Sequence, residues 1–323
     1  MIDNINDMHA PPDSEELPPV IKQRAAEDFS RARVKEVLFR IMHFMHTDRT
    51  KLLSLNDVKE ILKPGNETYK GMEAVPISLI VGSEGRYRDF NKFFLPRYER
   101  LRSRWERVDE ARLADIMLPP IQLYEIGGVY FVRDGNHRVS VAKTQGLETV
   151  DAEVTSLSTE IRISPSMTVD ELRSALIRYE KEIFYKKTNF AALTSGCDLN
   201  FTMPGRFDVI CDHILVHKYY LNQTRLEEIS FEDALVSWYN KVYKPVAAII
   251  SEEKLCACFH GRTESDLYVW IVKHWELLKK KYGICYSLAD AARDFRYKYG
   301  GGKTSLFTLI YSFFSRIFKR TRR

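Results

Sequence analysis

The period of the hydrophobic pattern changes twice along the chain. From Val20 to about Met45 it is helical: Val34, Val37, Leu38, Ile41, Met42 and Met45 recur at three and four residues and share one face. A short helix capped at Asn56 is expected to end near Leu62, where Pro64-Gly65 stops it. The period then shortens to two. Val75, Ile77, Leu79 and Val81 alternate with other residues and predict a strand, and Pro76 points to an edge position or a strand start. Ile121 to Ile126 and Val129 to Arg133 are strand-like runs joined by Gly127-Gly128, a two-residue hairpin turn. Asp134-Gly135-Asn136 comes next, then a helical run from about His137 to Gln145. Gly146 stands where a helix end takes a left-handed residue. Val150, Ala152 and Val154 predict one more strand. Beyond residue 160 the pattern is helical again. A capping box at Thr168 and Glu171 opens a helix to about Lys187. Further helices are expected at 207–222, 231–251, 264–281 and 287–299, the third of these capped by Thr263 with Asp266 three residues on.

These elements predict an α+β protein. A small sheet domain over 70–160 is flanked by a helical segment at 20–69 and a helical domain at 161–300, with an acidic leader at 1–19 expected to be disordered and a basic tail at 301–323. The composition, 45% hydrophobic and 29% charged over 323 residues, is that of a globular chain and excludes collagen-like or fully disordered classes. No window reaches the roughly 18 uninterrupted apolar residues of a membrane-spanning helix, and the acidic start lacks the apolar core of a secretory signal. Cys197, Cys211, Cys256, Cys258 and Cys285 are few and odd in number, so a disulfide framework is not expected and a reducing cytoplasm is.

The net charge of +5 is uneven. Asp3, Asp7, Asp13, Glu15 and Glu16 make the leader acidic, and Arg316, Lys319, Arg320, Arg322 and Arg323 make the tail basic. The excess left for the body of the chain is too mild to argue for DNA. It suits an anionic small ligand or an anionic surface. The densest basic run holds Arg86, Arg88, Lys92, Arg97, Arg100, Arg102, Arg104 and Arg107.

The stretch Arg133-Asp134-Gly135-Asn136-His137-Arg138 concentrates the chemistry. A helix N-terminus offers free backbone N–H groups and a positive dipole end. Gly135 lets the backbone approach a ligand. Asn136, His137 and Arg138 add hydrogen-bonding groups, and Arg138 can grip phosphate bidentately. Asp134 would repel phosphate unless it holds Mg²⁺, accepts a proton or orients a hydroxyl. The same residues also read as a plain capped junction, with Asp134 as the cap and Arg138 in a surface salt bridge.

The run D-G-N-H-R-V-S-V-A, following a hairpin and preceding a glycine and a strand, resembles the ParB/sulfiredoxin superfamily. V-P-I-S-L-I would be that fold's opening strand, L-P-P-I-Q-L-Y its middle strand, and the helix at 137–145 its phosphate-facing helix. More closely, G-R-Y-R-D-F at 85–90, F-L-P at 94–96, V-Y-F-V-R-D-G-N-H-R-V-S-V-A at 129–142 and G-R-T-E-S-D-L-Y-V-W at 261–270 are similar to a family of uncharacterised bacterial proteins carrying this domain, over most of residues 50–300. Sulfiredoxins carry a catalytic cysteine in this loop where the chain has Asn136, which argues against sulfinic-acid reduction. The Glu-Arg-Arg-rich motif and helix-turn-helix of chromosome-partition ParB proteins are missing. The loop resembles best the Asp-Gly-His-His-Arg of free-serine kinases, with Asn136 in place of the first histidine. The resemblance implies a nucleotide phosphate on the 135–138 turn, Mg²⁺ near Asp134, and Glu84 as the candidate for the glutamate those kinases use in catalysis.

The first functional expectation is therefore an enzyme, a nucleotide-dependent phosphotransferase or phosphohydrolase acting on a small molecule. Asp134 would serve as metal ligand or base and Glu84 as a second catalytic carboxylate. Gly135, Asn136, His137 and Arg138 would bind the phosphates of a nucleoside di- or triphosphate, assisted by Arg86 or Arg88. The second is a non-catalytic, nucleotide-gated ParB-like regulatory protein that docks on DNA or membrane.

Other signals are weaker. G-G-G-K-T-S at 300–305 lacks the first glycine and the preceding strand of a phosphate-binding loop and reads as a linker. His213 and His217, with Asp212, could share a helix face as metal ligands, but no third ligand is set by spacing, and a packed pair is the plainer reading. Cys256, Cys258 and His260 do not have a structural zinc spacing. In the tail, Leu306, Leu309, Ile310, Phe313, Phe314 and Ile317 can line one helical face beside the basic cluster. That pattern suits peripheral attachment to an anionic membrane surface through 306–323, or a last helix packed on the body.

Overall fold

The computed structural model describes residues 17–43, 50–223, 225–282 and 287–300. The chain forms two compact units, Met1–Leu172 and Arg173–Arg323. The acidic leader up to residue 16 and the amphipathic tail from residue 301, with the membrane contact expected of it, lie outside the described residues. No helix among the described residues is long and apolar enough to cross a membrane.

The first unit is α+β. Its elements are α1 (Pro19–Met42), β1 (Leu53–Ser54), α2 (Leu55–Leu62), β2 (Glu67–Pro76), β3 (Ile80–Ser83), α3 (Arg102–Leu113), β4 (Ile121–Ile126), β5 (Val129–Asp134), α4 (Asn136–Thr144) and β6 (Thr149–Leu157). The six strands form one mixed sheet in the order β1-β3-β5-β4-β6-β2. The hairpin is as expected: Gly127 and Gly128 take φ of 62° and 88°, and Ile126 faces Val129 across the turn. β1, β3 and β5 run parallel, β4 runs against β5, and β6 runs parallel to β4. Ile80, Phe90, Phe94, Ile121, Val132 and Val139 fill the core between the sheet and α4.

Three expectations shift. The strand expected over 75–81 is two strands with a 3-10 turn, Ile77–Leu79, between them. Pro76 closes β2 at the sheet edge, where its missing N–H breaks no ladder, and the Ile77 N–H leaves the strand to reach the Glu148 carbonyl at 2.9 Å. The segment 20–69 is not purely helical, since it supplies β1 and the start of β2; its short helix α2 is capped by Ser54, not Asn56. Most instructively, α1 does not bury the face its apolar residues suggest. Val34, Leu38, Ile41 and Met42 are exposed, while Ala25, Phe29, Ala32, Asp28 and Glu36 turn inward. Phe29 packs edge-on against Trp105 of α3 at 5.6 Å. Glu36, 1% exposed, is matched by Arg33 at 3.2 Å, with Arg97 and Arg40 at 3.9 and 4.0 Å. The inward face thus combines an apolar contact, Phe29 and Ala32 with Trp105 and Val141, and one buried carboxylate paired to partly exposed arginines.

The second unit is helical: α5 (Val169–Thr188), α6 (Phe190–Leu193), α7 (Arg206–Asn222), α8 (Phe231–Trp238), α9 (Lys244–Glu252), α10 (Leu255–Cys258), α11 (Glu264–Tyr282) and α12 (Leu288–Tyr299). Both expected capping boxes form, Thr168 with Glu171 and Thr263 with Asp266. The single helix expected over 231–251 contains a π-helical turn, Tyr239–Tyr243. Pro245 sits in the first turn of α9 and has no N–H for the carbonyl four residues back, so the ladder widens there. Trp238, Tyr268, Phe190, Phe259 and Phe295 anchor the core. The Tyr268 hydroxyl accepts from Trp238 Nε1 at 3.1 Å and meets His213 Nδ1 at 3.1 Å.

Candidate functional site

Two distant stretches converge where β3 and β5 end. The strands are parallel neighbours, with Ser83 opposite Val132, so both open at the same edge of the sheet. Such an edge, at the carboxyl ends of parallel strands, is where open α/β sheets take ligands. The half-buried Glu84 follows β3 there, its backbone N–H donating to the Val132 carbonyl at 2.9 Å. Asp134 is the last residue of β5, and the chain passes through Gly135 directly into α4.

Gly135 is required. It has φ of 99°, and a Cβ there would lie 2.5 Å from Ile121 Cγ2 and 3.1 Å from Arg138 Nε. Gly135→Ala should therefore cost about 2 kcal/mol or more, because a left-handed strain of roughly 1–3 kcal/mol adds to the clash. A denaturant melt checks this; stability within error of wild type would show that the turn relaxes freely. As N-cap, Gly135 also brings no side chain to α4, so the first-turn N–H groups have no side-chain cap, and no acidic residue lies in that turn.

The loop after β3 is built to press on α4. Asp89 is buried and accepts from Arg86 Nη1 at 3.1 Å and Arg100 Nη2 at 2.5 Å. Asn91 Oδ1 accepts from the backbone N–H groups of Phe93 and Leu95 at 2.9 and 3.1 Å, which supports Phe94 at φ of 57°. Ser140 Oγ of α4 donates to the Phe94 carbonyl at 2.6 Å and accepts from Trp105 Nε1 of α3 at 2.8 Å. The ring of Phe90 meets His137 edge-on at 5.4 Å.

Inside this frame Asn136 and His137 are 8% and 5% exposed. Asn136 Oδ1 and both ring nitrogens of His137 are buried and have no hydrogen-bond partner among the described residues. Burial first, then the charges of Arg104 and Arg86, lower the His137 pKa to about 4, with Asp89 opposing. The ring is therefore neutral at pH 7. Leaving such groups unpaired costs about 1–3 kcal/mol each, and they cluster where the helix dipole is positive.

Arg138 is differently placed from a free phosphate hook. It is ion-paired with Asp134 and donates to the Pro119 carbonyl, and to that of Pro120 at 3.0 Å. The plainer reading of this junction is met in part: Arg138 is in a salt bridge, with Asp134 as its partner, but Asp134 is not the cap, since Gly135 takes the N-cap position and no side chain caps α4. Arg86 serves Asp89, although its charge reaches His137. Arg88 is exposed and lies over the Tyr87 ring at 5.5 Å, and among the described residues it makes no hydrogen bond or ion pair with α4. Arg104 is the residue missed by sequence reasoning. It sits in the middle of the basic run, and nothing in its spacing links it to residue 137.

The remaining candidates pair with protein groups. His213, with a pKa lowered by burial to about 4, bonds Tyr268, and His217 bonds Ser237 Oγ at 3.0 Å. Among the described residues no group of three or more His, Cys, Asp and Glu side chains is placed to hold a metal ion. Cys256 and Cys258 are free thiols, and burial raises the Cys256 pKa.

No protein-family model matches this chain, and no curated protein matches it. Among solved structures it is similar to a Pnob8-like ParB-N domain, at 13% identity over 66% of this chain and 83% of that one, with a TM-score of 0.19. The mixed six-stranded sheet with flanking helices stands on the chain's own geometry.

Proposed function

We propose that the chain binds the phosphates of a nucleoside di- or triphosphate at the turn from Asp134 to Arg138 and acts as a phosphotransferase or phosphohydrolase on a small molecule. The observation that carries this reading is the start of α4. Uncapped N–H groups stand beside Asn136 and His137, which are buried without polar partners. An oxyanion is the ligand that such a helix end favours. Asp134, exposed at the rim, would orient the acceptor hydroxyl, and Glu84 beside β5 would take its proton.

Mg²⁺ entering with the nucleotide would find Asp134 as the turn's one carboxylate. Asp134 reaches a metal only by leaving Arg138, and no three-ligand group surrounds it among the described residues. The residues do not by themselves build a divalent-cation site, and the reading rests on the phosphates. One observation favours the second reading, a nucleotide-gated regulatory protein without turnover: Arg138 engages the carboxylate that catalysis would use.

A panel of nucleoside di- and triphosphates with Mg²⁺, followed by thermal melting and by product release, tests both. A nucleotide at 100 times its Kd should stabilise the native state by about 2.7 kcal/mol, read as a shift of a few degrees. Asp134→Asn should keep much of the binding and lose turnover. Full turnover in that variant removes Asp134 from catalysis, and turnover in neither protein favours the second reading. A flat profile across the panel overturns nucleotide binding.

A further inference from the structure

We propose that Arg104 is the side chain that grips the ligand's phosphate at the start of α4, and that Arg138 is the strut that shapes the turn. This rests on the phosphate reading above.

The arginines around the turn differ in what they already hold. Arg138 is bound to Asp134, Pro119 and Pro120. Arg86 and Arg100 share Asp89. Arg102 bridges Glu99 and Glu106 and lies 4.5 Å over the Phe29 ring. Arg104 makes no ion pair or hydrogen bond with any described residue and is exposed. Its charge is nonetheless felt at α4, because it lowers the pKa of both His137 and Arg138.

The placement follows from packing. Trp105, the next residue, is fully buried and donates to Ser140 in α4, which fixes the first turn of α3 against α4. That first turn contains no acidic residue. A cation in the first turn of a helix opposes the helix dipole, and a second cation close to a helix N-terminus opposes that one too. The Trp105–Ser140 bond brings the first turn of α3, with its exposed unpaired Arg104, against the helix whose start holds the buried unpartnered groups of Asn136 and His137, an arrangement that a phosphate completes and that Arg104 can meet bidentately.

The test uses the full chain with ATP and, separately, inorganic pyrophosphate as probes, measured by calorimetric titration. Arg104→Ala should weaken both probes at least tenfold and flatten the salt dependence of binding. Arg104→Lys should recover part of the loss. Arg107→Ala, on the same helix, should bind like wild type. Without probe, Arg104→Ala should melt no lower than wild type, since it gives up no protein partner, and the His137 ring should titrate at higher pH. Wild-type binding with Arg104→Ala unchanged overturns the assignment of Arg104 alone. No binding of either probe by wild type overturns the phosphate reading and this assignment with it.

Discussion

Trp105→Ala should destabilise the sheet unit by about 3–5 kcal/mol, the usual cost of removing a buried indole from a packed site. Trp105 is fully buried between α1 and α4, with Phe29 edge-on to its ring and its Nε1 donating to Ser140 Oγ. Ser140 passes the connection on to the Phe94 carbonyl. One side chain therefore ties α1, α3, α4 and the loop after β3 together. Ser140→Ala isolates the effect of the hydrogen bonds, because the indole N–H and the Phe94 carbonyl are then buried without their partner, at about 1–3 kcal/mol each. Trp105 is the one tryptophan in the first unit, so its emission follows that unit in Ser140→Ala, while circular dichroism follows Trp105→Ala. A loss below about 1 kcal/mol in Trp105→Ala would mean the α1–α3–α4 junction repacks at little cost.

That junction also shows where the sequence was readable. Local signals held where one residue dictates one backbone state. Gly127-Gly128 made the hairpin, Thr168 with Glu171 and Thr263 with Asp266 capped their helices, and Gly135 marked a turn with no room for a Cβ. Two caps moved by one or two residues, to Ser54 for α2 and to Gly135 for α4, but the larger failure was long-range choice. The apolar stripe of α1 was visible, but the other face turns inward, where Phe29 and Ala32 meet Trp105 and Val141 and Glu36 meets Arg97, all partners far along the chain. The site divides the same way. The 134–138 turn was legible because a glycine and three polar residues open a helix there. That Arg138 also reaches two proline carbonyls, and that Arg104 lies in the turn of α3 that Trp105 joins to α4, depends on how α3, the 114–120 segment and α4 pack, which no spacing records.

Acid should destabilise the first unit through His137 as the pH falls from about 6.5 toward 4. Above pH 6.5 the ring is neutral folded or unfolded and contributes no pH dependence. Below it the unfolded chain takes up a proton that the buried ring refuses until about pH 4. Stability is therefore present above the ordinary histidine pKa and lost as pH falls toward the folded value, by about 3 kcal/mol at 1.36 kcal/mol per pH unit. His137→Gln should flatten that limb in the first unit. His213, whose pKa burial also lowers to about 4, should impose the same limb on the second unit and respond only to its own substitution. The same ring links stability to ligand. A phosphate against α4 adds negative charge beside the imidazole and favours its charged form, so the His137 pKa should rise when pyrophosphate binds, and binding should tighten as pH falls from 7 toward 5. Imidazole resonances followed by NMR with and without pyrophosphate measure both effects. A free-protein midpoint at the ordinary 6.5 would show that water reaches the ring and relieves its isolation. A midpoint near 4 that pyrophosphate leaves unmoved would place the bound anion away from α4, and the start of that helix would then be a structural joint alone.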